Sequence, residues 1–253
     1  MDDGGGTVAV LSEADLSRFI TVAETGSTNA DVLSLAQAGA EDGLWLRAER
    51  QRSGRGRLGR DWASPVGNLY ASTLVRLRAD DPPAPTLALV AAVALEQAVS
   101  AVLNYDARSK LTLKWPNDLL LGGAKLSGIL LERAGDAVVV GIGVNLGSHP
   151  DLPDRATTDL RSHGVSVTPA DFLRMLAATF DRWREIWRGQ GVTAVRARWL
   201  ERAHPVGTAL AARQPDGSVV EGAFEGLDPD GALILRLADG ARHVIHAADV
   251  FAI

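Results

Sequence analysis

The stretch LTLKWPNDLLLGGAKLSGILLERAGDAVVVGIGV, residues 111–144, decides the fold. Leu111–Lys114 and Leu119–Leu121 are short apolar runs of strand length. Gly122-Gly123 then turns the chain into Lys125–Glu132, which is a hairpin signal. Val138–Val144 is rich in β-branched residues and predicts a buried strand. Upstream, Pro82, Pro83 and Pro85 introduce Leu87–Val102, apolar on nearly every face as a buried helix is. Strands are expected at Leu44–Glu49 and Leu69–Leu77. Ser27-Thr28-Asn29 opens a helix, with Asp31 three residues after Thr28 as in a capping box and Gly39 closing it. Residues 1–20 read as an acidic lead-in. Downstream, Thr168-Pro169 starts a helix with Phe172, Leu173, Leu176, Phe180, Trp183 and Trp187 along one stripe. A second helical piece, Val192–Ala203, ends before Pro205. The fold class is therefore α+β, a β-sheet packed with helices. From Gly207 the texture changes. Asp-Gly pairs at 216–217, 230–231 and 239–240 punctuate short alternating runs, the pattern of a small β-barrel. The expected domains are 1–205 and 206–253.

Composition narrows the function classes. The 253 residues carry 26 Lys+Arg against 31 Asp+Glu, with 46% hydrophobic and 23% charged residues, which excludes disordered and fibrous classes. The absence of cysteine removes disulfides, thiolate metal sites and thiol catalysis. The start, MDDGGGTVAV, lacks the basic region of a secretory signal. The longest uncharged apolar stretch, Ala84–Leu95, falls short of the ~20 residues a bilayer needs, so a cytoplasmic protein with no membrane partner is expected. The five histidines are scattered, without HExxH spacing or a Ser-His-Asp order, and are assigned to surface or loop roles with no metal site.

Three segments carry chemistry. Arg50, Arg52, Arg55, Arg57 and Arg60 crowd a segment without acids, and arginines bind phosphate or carboxylate through paired planar donors. Gly54-Arg55-Gly56-Arg57-Leu58-Gly59 matches G-x-G-x-x-G literally, but Asp61-Trp62-Ala63-Ser64-Pro65 follows instead of an apolar helix, so a dinucleotide fold is rejected. Arg60-Asp61 stands where a phosphate loop of the Walker type needs Lys-Ser/Thr. On composition alone a solvated, mobile basic loop and an RNA-binding loop both stay open. Lys114-Trp115-Pro116-Asn117-Asp118 and Lys125-Leu126-Ser127-Gly128 place two lysines, an amide and a carboxylate around one strand–turn–strand. Gly141-Ile142-Gly143-Val144-Asn145 ends a strand with an amide, and its glycines point to close approach by a ligand or another backbone.

In this order, together with Gly26-Ser27-Thr28-Asn29 and Ala48-Glu49 with Gln51, these segments resemble the biotin protein ligases over residues 25–145. The β-rich tail is similar to that family's C-terminal SH3-like domain. The resemblance implies a mixed sheet like that of class II aminoacyl-tRNA synthetases. It also implies a two-step reaction, in which biotin and ATP give biotinyl-5′-AMP and pyrophosphate, with Mg²⁺ on the ATP phosphates. The acyl group then passes to a lysine of a biotin carboxyl carrier domain, as of acetyl-CoA carboxylase. By the same resemblance Lys125, Arg57 and Asp118 are catalytic. Ser27, Thr28, Asn29, Gln51, Gly54, Arg55, Gly56, Arg57, Lys125 and Gly128 hold biotin. Arg57, Arg60, Trp62, Asn117, Lys125 and Asn145 hold ATP and the adenylate, Trp62 by stacking on adenine. The basic loop 50–62 is expected to be mobile without ligand and to order over it. Lipoate ligases share the fold, but Lys114-Trp115-Pro116-Asn117-Asp118 favours biotin. Only 26 residues precede Ser27, too few for the winged-helix domain of the ligase-repressors, so no specific DNA binding is expected.

Overall fold

A computed structural model describes residues 18–252; the expected acidic lead-in lies mostly outside them. Seven strands form a mixed sheet: β1 (Phe19–Thr25), β2 (Trp45–Gln51), β3 (Leu69–Arg76), β4 (Leu111–Lys114), β5 (Asp118–Leu121), β6 (Ala124–Ala134) and β7 (Ala137–Val144). Their spatial order is β1-β2-β3-β7-β6-β5-β4. Only β1 and β2 pair in parallel, and the helix α1 (Thr28–Gln37) makes the crossover such a pair requires. The other helices are α2 (Leu87–Val102), α3 (Pro169–Gln190) and α4 (Val192–Leu200), together with a single turn at Tyr105–Arg108.

Strand alternation assigns the two faces. On β7, Val138, Val140, Ile142 and Val144 enter the large core beneath α2 and α3, whereas Ala137 and Val139 join the smaller core beneath α1. Gly141 and Gly143 continue the α1 side, and that side becomes the candidate site. α2 buries Leu87, Leu89, Val90, Val93, Leu95 and Val99, each contributing roughly 1.5–3 kcal/mol before entropy is charged against it. Counted through Glu96, Ala84–Val102 is long and apolar enough to span a bilayer by length and composition, longer than the uncharged run considered from sequence. Most of its window is nevertheless buried in the protein. α3 is capped by Thr168, whose side chain accepts from the Asp171 N–H, and buries the expected stripe from Phe172 to Trp187. The Phe180 ring meets Trp45 edge-on, with centroids 5.7 Å apart.

The tail forms a five-stranded antiparallel sheet from β8 (Ala209–Arg213), β9 (Val219–Leu227), β10 (Leu233–Arg236), β11 (Arg242–Ile245) and β12 (Asp249–Ala252). Its order is β11-β10-β9-β8-β12. Gly217, Gly231 and Gly240 sit at φ of 87°, 85° and 84°, the left-handed conformation for which the Asp-Gly pairs were read. Leu210, Phe224, Leu233 and Val250 of this sheet join the large core, so packing runs on across Pro205.

Three expectations are corrected. Phe19 and Ile20 were read as the end of the lead-in and residues 21–25 were given no element, yet Phe19–Thr25 is the edge strand β1; its pattern is only half-buried, which leaves little hydrophobic signal. The second helical piece stops at Leu200 rather than Ala203. Ser27 occupies the N-cap of α1 without a side-chain capping bond, and Asp31 instead accepts from the Thr25 hydroxyl at 2.5 Å. The hydroxyls at this helix start are left for the site.

Glu96 on α2 is fully buried and is held by Arg198 at 2.6 Å and Arg202 at 3.1 Å. Removing one cation from a buried carboxylate costs about 3–5 kcal/mol. Arg198→Ala is predicted to destabilise the fold toward the lower end of that range, because Arg202 stays. Adding Glu96→Gln to that variant should return part of the loss, since a neutral amide needs no counter-ion. Urea unfolding checks both, and strictly additive losses would contradict the assignment.

Candidate active site

At the end of the sheet where β7 turns to glycine, a cavity of about 600 Å³ opens among α1, the loop after β2, the β4–β5–β6 ribbon and β12. Every site residue named from the sequence lines it. Ser27, Thr28 and Asn29 come from the start of α1, and Gln51 from the end of β2. Gly54, Arg55, Gly56, Arg57, Arg60 and Trp62 come from the loop, Asn117 and Asp118 from the start of β5, Lys125 and Gly128 from β6, and Asn145 from just past β7.

The two glycines of β7 answer to two different side chains. A Cβ on Gly141 would overlap Oδ1 of Asn29. A Cβ on Gly143 would lie 2.6–2.8 Å from the Trp62 indole, and one on Gly128 would meet the same ring at 3.0 Å. The bare backbone of β6 and β7 is thus the floor on which Trp62 rests. Its indole N–H is buried and has no partner among the described residues.

The inner end of the cavity is polar. Thr28 donates its backbone N–H to Oε1 of Gln51 at 2.9 Å, and Nε2 of Gln51 donates to Ser64 at 3.3 Å. Tyr70, another lining residue, donates its hydroxyl to the Pro65 carbonyl at 2.7 Å, and burial pushes its phenol up to about 12. Asn117 and Asn145 each donate their amide to a backbone carbonyl, of Ile129 and Thr158, which fixes both rotamers.

The outer part is cationic around one carboxylate. Lys125 Nζ stands 2.6 Å from Asp118 Oδ1, an approach too far off-line to be an aligned hydrogen bond. Lys114 Nζ is 3.9 Å from the other oxygen. Burial lowers the Lys114 ammonium from its ordinary value, and Asp118 works against that shift. Burial likewise lowers Arg57, with Asp249 and Asp118 opposing. Lys125 also lies 5.5 Å from the Trp62 ring centroid, within cation–π range.

The basic segment is not the acid-free patch that its sequence describes. Glu24 of β1 approaches Arg50 and Arg52 at 3.9 and 3.4 Å, and Asp249 of β12 pairs with Arg60. The loop folds as a small hairpin, with Trp62 N–H to the Gly54 carbonyl at 2.9 Å and Gly56 N–H to the Arg60 carbonyl at 2.7 Å. Leu58 at its tip takes φ 57°, a left-handed conformation uncommon outside glycine. Arg57 donates to the Ala248 carbonyl at 3.2 Å.

Sequence reasoning missed Ser72, Arg155, Asp249 and Phe251. Ser72 sits in an apolar strand and bonds to Thr28 and Asn29. Arg155, Asp249 and Phe251 line the cavity from segments far along the chain. Lys114 was quoted as part of a motif without a role, yet its ammonium lies 5.4 Å from the Phe251 ring. Among the described residues no group of three or more acids and histidines could hold a metal ion.

Comparison with known proteins places this geometry. The model of the Biotin/lipoate A/B protein ligase family matches residues 20–147, and that of the Biotin protein ligase C terminal domain matches residues 211–252. A biotin–[acetyl-CoA-carboxylase] ligase of Paracoccus denitrificans is 42% identical, over 91% of this chain and 98% of its own. One of the same name from Mycobacterium tuberculosis is 37% identical, over 90% of this chain and 86% of its own. The structure of a biotin protein ligase from Aquifex aeolicus in complex with biotin and ATP superposes with a TM-score of 0.80 at 24% identity, covering 93% of this chain and 99% of that one, and shares the fold.

The packing of Trp62 on Gly143 is directly testable. Gly143→Ala is predicted to lift the indole off β7 and increase its exposure. Acrylamide quenching, read as the difference from the same variant carrying Trp62→Phe, measures this. Unchanged quenching of Trp62 would contradict the floor described here.

Proposed function

Because the chain belongs to the Biotin/lipoate A/B protein ligase family, we propose that it is an ATP-dependent biotin ligase acting on a biotin carboxyl carrier domain. The acceptor would be that of acetyl-CoA carboxylase or a related enzyme, the partner named for its curated relatives. The observation that carries the reading is one cavity with a polar inner end and a cationic outer end, in which Trp62 rests on the bare backbone of β6 and β7. A cyclic urea brings two N–H donors and a carbonyl acceptor to an inner end built of Thr28, Gln51 and Ser72, whereas a dithiolane ring brings no N–H donor to it. This favours biotin over lipoate.

The outer end fits the first step. A carboxylate and a triphosphate are both anions, and the reaction forms a carboxylate oxygen–α-phosphorus bond while breaking the bond to pyrophosphate. Fixed cations in a partly dry site offset the repulsion and the charge that develops on the departing oxygen. We assign that task to Lys125 and Arg57, with Asp118 aiming Lys125. Ser27, Thr28, Asn29, Gln51, Gly54, Arg55, Gly56 and Gly128 are assigned to the biotin end. Arg60, Trp62, Asn117 and Asn145 are assigned to the adenylate, and loop 50–62 to covering the reactive anhydride. In the second step the acceptor amine attacks the acyl carbon, AMP leaves, and the ammonium proton is lost. Mg²⁺ would supply further positive charge to the ATP phosphates, and no residue of the chain is assigned as its ligand. The proposed division into 1–205 and 206–253 makes the tail a second domain that contributes Asp249 and Phe251 to the site.

The test is mass spectrometry of a carrier-domain substrate after incubation with ATP, Mg²⁺ and either biotin or lipoate. A biotin-sized adduct is expected, and a lipoate adduct or none would contradict the proposal. Lys125→Ala should reduce pyrophosphate release about 10²–10³-fold, the loss typical of one donor to a developing anion. Release at the unaltered rate would remove Lys125 from its role.

A further inference from the structure

We propose that Ser72, anchored through Asn29 by Glu132, is a positioning residue that makes the Thr28 hydroxyl a hydrogen-bond acceptor toward the ligand, so that the inner end of the cavity selects an N–H donor. The inference rests on the biotin reading above and deepens it.

The argument follows protons inward from the edge of the site. Nδ2 of Asn29 lies 2.7 Å from a carboxylate oxygen of Glu132 and 3.3 Å from the Leu130 carbonyl. Both partners are acceptors, so the amide has only one orientation, with its NH₂ toward β6. Oδ1 of Asn29 is thereby turned to Ser72 Oγ at 2.6 Å, and the proton in that bond must come from Ser72. Ser72 is fully buried and has one proton. Its oxygen is also 2.7 Å from Oγ1 of Thr28, a separation that requires a proton between the two. With the Ser72 proton committed to Asn29, the Thr28 hydroxyl must donate to Ser72.

Oε1 of Gln51 already accepts the Thr28 backbone N–H at 2.9 Å, and the hydroxyl approach to it is longer, at 3.1 Å. What Thr28 Oγ1 presents to the cavity is therefore a lone pair. Gly141 shows that the anchor is built into the fold, because any Cβ there would overlap the Asn29 oxygen. A cyclic urea has two N–H groups and one carbonyl, and one N–H meets this lone pair. An oxygen in its place would set lone pair against lone pair, and sites built for a donor reject analogues lacking it strongly.

Isothermal titration of biotin and of its two cyclic carbamate analogues, each with one ring N–H replaced by oxygen, tests the polarity. The unaltered protein should bind at least one carbamate about 100-fold more weakly than biotin. Ser72→Ala frees the Thr28 proton to turn toward the ligand, so the biotin-to-carbamate ratio should fall about tenfold or more. Glu132→Gln, at a partly exposed position, removes the closer of the two acceptors that orient the Asn29 amide, weakening the anchor, and should move the ratio the same way though by less; it reads the same quantity if Ser72→Ala does not fold. A merely structural role would weaken biotin and carbamate alike. Ratios unchanged in both variants, or no discrimination by the unaltered protein, would overturn the inference while biotin binding itself upheld the ligase reading. Failure of the unaltered protein to bind biotin would overturn both.

Discussion

The site depends on one carboxylate that keeps two ammonium groups together before any substrate arrives. Lys114 and Lys125 would repel each other in a cavity that screens charge poorly, and Asp118 stands between them at 3.9 and 2.6 Å. The sheet sets this arrangement by register. Asp118 pairs with Lys114 across the β4–β5 turn and with Gly128 on β6, and Lys125 lies three residues before that glycine. Substrate anions can then replace a counter-ion that the backbone has already aimed, which is pre-organisation in the electrostatic sense.

The tail sheet belongs to the same constraint. Trp115 donates its indole N–H to the Gly231 carbonyl at 3.0 Å, which ties the lysine-bearing ribbon to the β9–β10 turn. Asp249 pairs with Arg60, the Ala248 carbonyl receives Arg57, and Phe251 lies beside Lys114. Residues near the end of the chain therefore hold cations from its middle, and the large core continues into this sheet. A boundary at Pro205 separates textures of sequence, while the chemistry draws on both sides.

Much of this was legible in the sequence because local patterns carry it. Leu87–Val102 matches its helix end to end, and the Asp-Gly pairs mark three turns of the tail. The ligase-like motifs converge because they sit on the start of α1, on β5, β6 and β7 and in the loop after β2, all of which line one cavity. β1 escaped notice because its face toward α1 is only half covered. Ser72 was hidden inside an apolar strand, where a serine has no local signature. The partners of Arg50, Arg52 and Arg60 come from Glu24 and Asp249, so counting acids within the segment could not show how far its charge is already neutralised. The Thr28 hydroxyl read as a cap turned out to bond to Ser72 of β3, a contact between a helix and a strand that no local pattern encodes.

The central claim is that Asp118 organises the cations that join a carboxylate to ATP. Exchange of labelled pyrophosphate into ATP, measured with and without biotin, tests it most directly. The account predicts exchange that requires biotin, and in Asp118→Asn a rate at least tenfold lower at saturating biotin. Exchange without biotin, or an Asp118→Asn variant exchanging at the unaltered rate, would contradict it.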